Sequence, residues 1–155
     1  DLVLESCNMA ERAILVVEDD PDEEALLLRA LKATDYDGEI SVARDGQEAI
    51  DYLLNEGNPP PRLIILDLKL PKMGGLKVLQ ALRVQNETRL IPVVVFTSSM
   101  EQSDILTCYD LGVNSYVTKP ADYASFKDAV GKLVEYWVNF NIPMPMERRQ
   151  YARLA

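Results

Sequence analysis

The sequence contains no histidine and only two cysteines, Cys7 and Cys108, among its 155 residues. The lack of histidine excludes Ser-His and Cys-His nucleophile pairs and removes the commonest metal ligand. Two cysteines are too few for a disulfide framework, and their spacing does not match that of metal ligands, so we expect unreactive thiols. Carboxylates are abundant, which leaves oxygen chemistry and a hard cation such as Mg²⁺.

Long apolar runs and a basic surface are also missing. No run approaches the roughly 18 residues that a membrane span requires, and residues 1–8 lack the basic start and apolar core of a signal peptide. The formal net charge of -9 argues against a nucleic-acid surface, because phosphate backbones repel an acidic protein. We therefore expect a cytoplasmic protein with neither a nucleic-acid partner nor a membrane partner.

The length of the chain fits a single domain. We expect a folded unit over residues 12–140 and a C-terminal tail over residues 141–155. The N-terminal segment, residues 1–11, is expected to be poorly ordered or a remnant of cloning. A Gly-Asn-Pro-Pro-Pro cluster at residues 57–61 predicts a loop before the third strand rather than a domain boundary.

Short apolar runs alternate with amphipathic stretches along the chain. The predicted strands are residues 13–17, 39–43, 63–66, 93–96 and 115–117, and the predicted helices are residues 24–32, 46–54, 76–84, 103–111 and 123–140. The 3.6-residue spacing predicts a buried stripe of Ala25, Leu28 and Leu31 in the first helix. In the fourth helix it predicts a stripe of Ile105, Leu106 and Tyr109.

Strands that alternate with helices predict a parallel sheet covered on both faces, because each crossover must return the chain to the same edge. The expected fold is a doubly wound α/β domain, a flavodoxin-like sandwich of three layers with the sheet order 2-1-3-4-5. In such a fold the ligand crevice opens at the carboxyl ends of the strands, where the strand order reverses.

Polar side chains follow four of the predicted strands. They are Glu18, Asp19 and Asp20 after the first strand, Asp67 after the third, Thr97 after the fourth and Lys119 after the fifth. Clustered carboxylates repel one another unless a cation neutralises them, and Mg²⁺ accepts such oxygen ligands. One acid would attack phosphorus while the threonine and the lysine stabilise the charge of the transferred group.

Each of these residues has a simpler interpretation when it is taken alone. An acid that follows a strand is more often a turn former or a helix N-cap. Thr97 alone is more often a cap, and Lys119 alone is more often a surface loop residue. The coincidence at four separate strand ends is what favours a site that receives a phosphoryl group.

Four segments carry a resemblance to the receiver domains of bacterial two-component systems, over residues 12–140. Ile-Leu-Val-Val-Glu-Asp-Asp-Pro at 14–21 is similar to the acidic-pair strand, and Ile-Leu-Asp-Leu-Lys-Leu-Pro-Lys-Met-Gly-Gly at 65–75 to the phosphoacceptor loop. Val-Val-Val-Phe-Thr-Ser-Ser at 93–99 is similar to the switch threonine segment, and Gly-Val-Asn-Ser-Tyr-Val-Thr-Lys-Pro at 112–120 to the Lys-Pro segment.

The resemblance implies a role for each site residue. Asp67 is the implied phosphoacceptor, Thr97 and Lys119 contact the phosphoryl group, and Tyr116 and Pro120 belong to the switch. The implied Mg²⁺ ligands are Asp19 directly, Glu18 mainly through water, Asp67, and Lys69 through its backbone carbonyl, with Asp20 a less favoured third acid. The family also joins Lys119 and Pro120 by a cis peptide bond.

Within this family the chain resembles the single-domain regulators of phytochrome histidine kinases, through residues 59–68, 91–99 and 136–143. The resemblance implies a histidine kinase partner that supplies the phosphohistidine, and no enzymatic activity beyond the regulator's own phosphoryl transfer and dephosphorylation. It favours a homodimer through helix four, strand five and helix five, although the apolar residues of the last helix could equally pack on the sheet. Lys69, two residues after the acceptor, departs from the residue most often found there, which leaves the lifetime of the phosphorylated form open.

Three other classes of protein are alternatives to a receiver domain. A haloacid dehalogenase phosphatase needs a second acid two residues after its nucleophile, where this chain has Lys69. A flavin carrier needs a phosphate-binding loop after the first strand, and Glu-Asp-Asp-Pro has the opposite charge. The main alternative is a docking module that has the receiver fold and is not phosphorylated.

Overall fold

The computed structural model describes residues 13–144, in which strands and helices alternate. The strands are β1 (Ile14–Val17), β2 (Ile40–Ala43), β3 (Leu63–Leu66), β4 (Val93–Thr97) and β5 (Ser115–Thr118). The α-helices are α1 (Pro21–Lys32), α2 (Gly46–Leu54), α3 (Gly75–Val84), α4 (Gln102–Asp110) and α5 (Tyr123–Val134). A π-helical segment, Glu135–Phe140, continues α5. Every predicted strand and helix is present, with small shifts at the ends.

The strands form one parallel sheet in the order β2-β1-β3-β4-β5. Val17, the last residue of β1, is paired with Ala43 of β2 on one side and with Leu66 of β3 on the other. The carboxyl ends of β1 and β3 are therefore level and adjacent. The predicted doubly wound fold and its strand order are confirmed, and the crevice expected where the order reverses opens above β1 and β3.

The two faces of the sheet carry separate apolar cores, because alternate side chains of a strand point to opposite faces. One core joins the sheet to α2, α3 and the single buried residue of α4, and its strand residues include Leu15, Ile64 and Val95. The other core joins the sheet to α1 and α5, and its strand residues include Ile14 and Phe96. Helices thus cover both faces, in the expected three layers.

Helix α1 begins at Pro21, earlier than the predicted start at residue 24. The Asp20 carboxylate accepts hydrogen bonds from the backbone N–H groups of Asp22 and Glu23, at 2.8 and 3.4 Å. Proline at the first helical position needs no N–H partner there. Asp20 is therefore the N-cap of α1, which is the simpler of the two interpretations offered for this acid.

The stripe predicted for α1 is correct at Leu31 and wrong at its other two positions, because the buried residues are Leu27, Ala30 and Leu31. Ala25 is exposed and Leu28 is only half-buried. Residues 26–28 are three consecutive leucines, so the spacing is compatible with more than one stripe. Packing against the sheet and α5 decides between them.

The stripe predicted for α4 is also wrong. Cys108 is fully buried, whereas Leu106 is 66% exposed and Tyr109 is 55% exposed. Helix α4 lies near the margin of the sheet, beside β5, where a helix has little surface to pack on. Burial raises the pKa of the Cys108 thiol to about 11, as expected of an unreactive cysteine.

The apolar stripe of α5 packs on the sheet, where Phe126, Val130 and Leu133 are buried. The chain then changes from α-helical to π-helical geometry at Glu135, inside the predicted last helix. Beyond that point Tyr136 is 48% exposed and Phe140 is 77% exposed. The interpretation that all these residues pack on the sheet therefore holds for α5 and for Trp137, and it fails for Tyr136 and Phe140.

The predicted flanking segments lie largely outside the residues that the structure describes. Residues 1–11 lie outside the described residues, and so does the predicted tail beyond Met144. Between residues 13 and 144, none of the helices combines the length and the apolar character needed to cross a membrane.

Helix α3 begins directly against the loop that carries Asp67. The backbone N–H of Gly75 donates to the carbonyl oxygen of Leu68 at 3.0 Å. A Cβ atom at Gly75 would lie 2.6 Å from the Cα atom of Leu68 and would overlap the carbonyl oxygen of Asp67. This close approach requires glycine and fixes the position of Asp67 above the sheet.

Substitution of Gly75 tests this approach. We expect Gly75→Ala to lower the free energy of unfolding by about 1–3 kcal/mol, because the added Cβ forces α3 and the loop apart. Gly74→Ala is the matched control: a Cβ at Gly74 would meet nothing within 4 Å, and its φ of -62° suits alanine. Because Gly74 is the N-cap of α3, where alanine is less favourable than glycine, the control should cost up to about 1 kcal/mol and less than Gly75→Ala. Urea denaturation measures both, and equal stability of the two variants would contradict the packing described.

Candidate functional site

Asp67 directly follows β3 and is only 7% exposed. Its backbone N–H donates to the carbonyl oxygen of Val17 at 3.1 Å, which extends the pairing with β1 beyond the strand. One carboxylate oxygen accepts a hydrogen bond from the backbone N–H of Lys69 at 3.3 Å, and the other lies 3.1 Å from the ammonium nitrogen of Lys119. The predicted acceptor therefore lies at the carboxyl edge of the sheet beside a positive charge.

Glu18 directly follows β1 and is 3% exposed. Its carboxylate accepts a hydrogen bond from Lys119 at 2.9 Å. Burial raises the pKa of Glu18, the hydrogen bond from Lys119 opposes this change and the charge of Asp67 adds to it, so that the pKa lies at about 7 instead of its ordinary 4.5. Asp19, the next residue, is exposed to solvent at the rim of the crevice.

Lys119 joins the acids of the site. Its ammonium nitrogen lies 2.9 Å from Glu18, 3.1 Å from Asp67 and 3.1 Å from Glu23. Burial by itself lowers the pKa of Lys119, but the hydrogen bond to Glu18 and the charges of Asp67 and Glu18 outweigh it, so the pKa lies above its usual value. The lysine is therefore held in its charged form.

Thr97 and Tyr116 belong to one hydrogen-bonded network. Thr97 is the last residue of β4 and is fully buried, and its hydroxyl oxygen accepts from the backbone N–H of Ser99 at 3.3 Å. The Tyr116 hydroxyl donates to the carbonyl oxygen of Ser99 at 2.8 Å. The Ser99 hydroxyl is bonded in turn to Asp104 of α4. Ser99 therefore links Thr97 and Tyr116.

Lys69 makes a side-chain contact that was not predicted, and the predicted cis bond before Pro120 is not found. The Lys69 side chain is exposed and donates to the hydroxyl of Ser98 at 3.3 Å, rather than to an acid. The bond between Lys119 and Pro120 is trans, because no peptide bond between residues 13 and 144 is cis. The expectation of a cis bond is therefore wrong for this structure, which has the isomer that an X–Pro bond intrinsically favours by about 0.5–1 kcal/mol.

The oxygen donors of the crevice fit a hard divalent cation. Within the described part of the chain, no group of three or more His, Cys, Asp or Glu side chains is arranged to hold a metal ion. The predicted site does not require such a group, since it combines the carboxylates of Asp19 and Asp67 with the backbone carbonyl of Lys69. In that prediction Glu18 would contribute mainly through water.

Glu23 was not predicted as a site residue. It lies in the first turn of α1, where Asp22, Glu23 and Glu24 form an acidic run. Acids in the first turn of a helix ordinarily stabilise the helix dipole, so the run carries no sign of a contact with the loop after β5. Only the packing of α1 beside that loop brings Glu23 to Lys119.

Comparison with known proteins gives a consistent result. The Response regulator receiver domain family matches residues 14–131. The chain is 40% identical over 131 residues to the probable methanogenesis regulatory protein FilR2 of Methanothrix harundinacea, covering 83% of this chain and 84% of that protein. It is 35% identical over 131 residues to response regulator Rcp1 of Synechocystis sp., covering 82% of this chain and 89% of Rcp1.

Solved structures of two such regulators share the fold. The Mn²⁺-bound form of Rcp1 has a TM-score of 0.81 and 33% identity, covering 86% of this chain and 99% of that one. The phosphorylated cyanobacterial phytochrome response regulator RcpA has a TM-score of 0.81 and 35% identity, covering 87% of this chain and 99% of that one. This chain therefore belongs to the response regulator receiver domain family and is homologous to the single-domain response regulators of phytochrome two-component systems.

Proposed function

We propose that this chain is a single-domain response regulator whose receiver unit, residues 12–140, accepts a phosphoryl group on Asp67. The observation that carries the proposal is the ion pair between Asp67 and Lys119, 3.1 Å long, at the crevice where the strand order reverses. A carboxylate beside a fixed positive charge is suited to attack phosphorus, because the ammonium group can stabilise the charge of the transferred oxygens. The flanking segments, residues 1–11 and 141–155, lie outside this unit.

The phosphoryl donor is the phosphohistidine of a sensor kinase, since this chain has no histidine of its own. A carboxylate oxygen of Asp67 forms a bond to phosphorus while the bond from phosphorus to the donor imidazole nitrogen breaks. The electron pair of the broken bond stays on the imidazole. Thr97 and Lys119 then donate hydrogen bonds to the phosphoryl oxygens.

Mg²⁺ is the proposed cation, and Asp19, Asp67 and the backbone carbonyl of Lys69 would hold it, with Glu18 acting through water. When bound, the cation neutralises charge on the oxygens of the transferred group. The support is the all-oxygen donor set and the high pKa of Glu18, which burial and the charge of Asp67 produce. Rcp1, a relative with the same fold, has been solved with Mn²⁺ bound.

A groove beside the site, lined in part by Lys119, is the proposed contact surface for the donor. The groove has a volume of about 420 Å³ and lies between the first turn of α1 and the start of α5. Leu26, Tyr123 and Phe126 give it an apolar wall, and Lys119 and Pro120 border the acid cluster. We propose a histidine kinase of the phytochrome class as the donor, because RcpA is a phytochrome response regulator.

The switch uses the network around Ser99. The phosphoryl group on Asp67 carries about -1.5 to -2 charges in place of the single charge of the carboxylate, which draws the Thr97 hydroxyl toward the phosphoryl group and away from the N–H of Ser99. Tyr116, bonded to the Ser99 carbonyl at 2.8 Å, moves with this segment. The result is a shift of population between two arrangements of α4 and β5. The chain acts as a signalling protein and transforms no substrate other than its own phosphoryl group.

A homodimer through α4, β5 and α5 is the proposed assembly. β5 is an edge strand of the sheet, so one of its sides is free to meet a partner. Leu106 and Tyr109 of α4 and Tyr136 and Phe140 beyond α5 are large apolar side chains exposed on the elements that flank it. Exposed apolar groups of this kind favour protein contacts.

The acceptor assignment is tested by labelling with acetyl phosphate and Mg²⁺, followed by intact mass measurement. The wild-type chain should gain one phosphoryl group, and Asp67→Asn should gain none. Asp20→Asn is the matched control, because it removes a charge from the same edge while asparagine still caps α1, and it should be labelled like the wild type. Removal of the cation with EDTA should abolish labelling. An adduct on Asp67→Asn would show that the acceptor is another residue.

The pH dependence of stability tests the environment of Glu18. Its folded pKa of about 7 lies above its ordinary 4.5, so the folded chain binds more protons than the unfolded chain between these values. The stabilisation of the folded chain by Glu18 is fully present below about pH 4.5 and is lost as the pH rises through about 7. In cation-free buffer the free energy of unfolding should therefore fall by about 2 to 3 kcal/mol across this range.

Urea denaturation at a series of pH values measures this change. Glu18→Gln should remove most of it, because a chain without histidine has few other groups that titrate near pH 7. If the free energy of unfolding depends on pH equally in the wild type and in Glu18→Gln, the pKa of Glu18 is not raised by the fold.

Size-exclusion chromatography with light scattering tests the dimer. The wild-type chain should have the mass of two copies, and Leu106→Glu should shift it toward one copy by placing a charge in the contact. Val84→Glu is the matched control, because Val84 is 73% exposed at the end of α3, away from the proposed face. A wild-type chain that is monomeric both with and without phosphorylation would overturn the assembly.

A further inference from the structure

Three carboxylates surround the ammonium group of Lys119 before any phosphoryl group arrives. The group donates hydrogen bonds to Glu18 at 2.9 Å and to Asp67 at 3.1 Å. The carboxylate of Glu23 forms an ion pair with the same nitrogen at 3.1 Å. A phosphoryl oxygen that approaches Lys119 therefore meets an anion, Glu23, that is already paired with it.

The three carboxylates differ in how readily they can be released. The side chains of Glu18 and Asp67 are 4% and 9% exposed, whereas that of Glu23 is 39% exposed. Separating Lys119 from the buried Glu18 leaves an unpaired buried charge, which is strongly unfavourable, and the contact with Asp67 passes to the phosphoryl group that this residue carries. Glu23 can exchange its contact for water, so its release is the least costly of the three.

The position of Glu23 is fixed by the start of α1. Asp20 accepts hydrogen bonds from the backbone N–H groups of Asp22 and Glu23, which orders the first turn of the helix. Glu23 thus approaches Lys119 from a helix, while Glu18 and Asp67 approach it from strand ends. It belongs neither to the proposed cation ligands nor to the groups that contact the phosphoryl oxygens.

We propose that Glu23 is a positioning residue that holds Lys119 in the unphosphorylated chain and competes with the phosphoryl oxygen for it. This inference rests on the proposed function of Asp67 and Lys119. When Asp67 carries a phosphoryl group, Lys119 exchanges its ion pair with Glu23 for a contact with a phosphoryl oxygen, and Glu23 turns to solvent. The strength of the contact between Glu23 and Lys119 thereby sets the affinity of the crevice for a phosphoryl group.

Titration of the full chain with beryllium fluoride, an analogue of a phosphoryl group, tests this competition. The titration is carried out at saturating Mg²⁺ and constant pH and followed by isothermal calorimetry. Glu23→Gln keeps the shape of the side chain and weakens the contact, so it should bind the analogue about two- to fivefold more tightly than the wild type. Thermal unfolding of the same samples checks that the variant is folded.

Two further variants separate competition from simple charge repulsion. Asp22→Asn removes the same charge from the neighbouring, exposed residue of the same turn, and it should change the affinity less than Glu23→Gln does. In a Lys119→Gln background, Glu23→Gln should have no effect, because the group for which it competes is absent.

The outcomes distinguish the inference from the function on which it rests. Equal affinity of the wild type and Glu23→Gln would overturn the competition, and so would equal tightening by Asp22→Asn. In both cases the phosphoacceptor role of Asp67 would stand. A wild-type chain that binds no beryllium fluoride would overturn the proposed function, and the role of Glu23 with it.

Discussion

The ammonium group of Lys119 among buried carboxylates is the interaction on which the rest of the site depends. Glu18 and Asp67 are 3% and 7% exposed, and two negative charges at that depth repel each other unless a positive charge lies beside them. The lysine follows β5, at one end of the sheet, whereas the acids follow β1 and β3. The charge balance therefore requires the complete sheet and cannot be formed by any single β-α unit.

Two arginines join segments of the chain near the points where strands begin, by donating hydrogen bonds to backbone carbonyl oxygens. Arg83 of α3 donates to the carbonyl oxygens of Gly112 and Ile91, both at 2.9 Å, and so joins the segments that lead into β5 and β4. Arg62, which precedes β3, donates to the carbonyl oxygen of Asn141 at 2.8 Å and holds the end of the chain beyond the π-helical segment. These two arginines thus make structural contacts at the amino edge of the sheet, opposite the edge that carries Asp67.

The features that could be predicted from sequence are those that a regular fold determines. A parallel sheet brings the carboxyl ends of its strands to one edge, so Glu18, Asp67 and Thr97 could be placed together from their positions alone. Contacts between elements could not be predicted in this way. The acidic turn of α1 does not reveal that Glu23 reaches Lys119, and three consecutive leucines do not reveal which one is buried. Both depend on how α1 packs, which periodicity does not specify.

The edge position of β5 has a mechanical consequence. An interior strand is bonded to a neighbour on each side, whereas β5 is bonded only to β4. Its residues are half-buried or exposed, in contrast to the fully buried β3 and β4. Displacement of Tyr116 therefore disturbs a single row of backbone hydrogen bonds and little of the apolar interior. The margin of the sheet is its most compliant part, and a signal produced there can reach the surface while the core remains rigid.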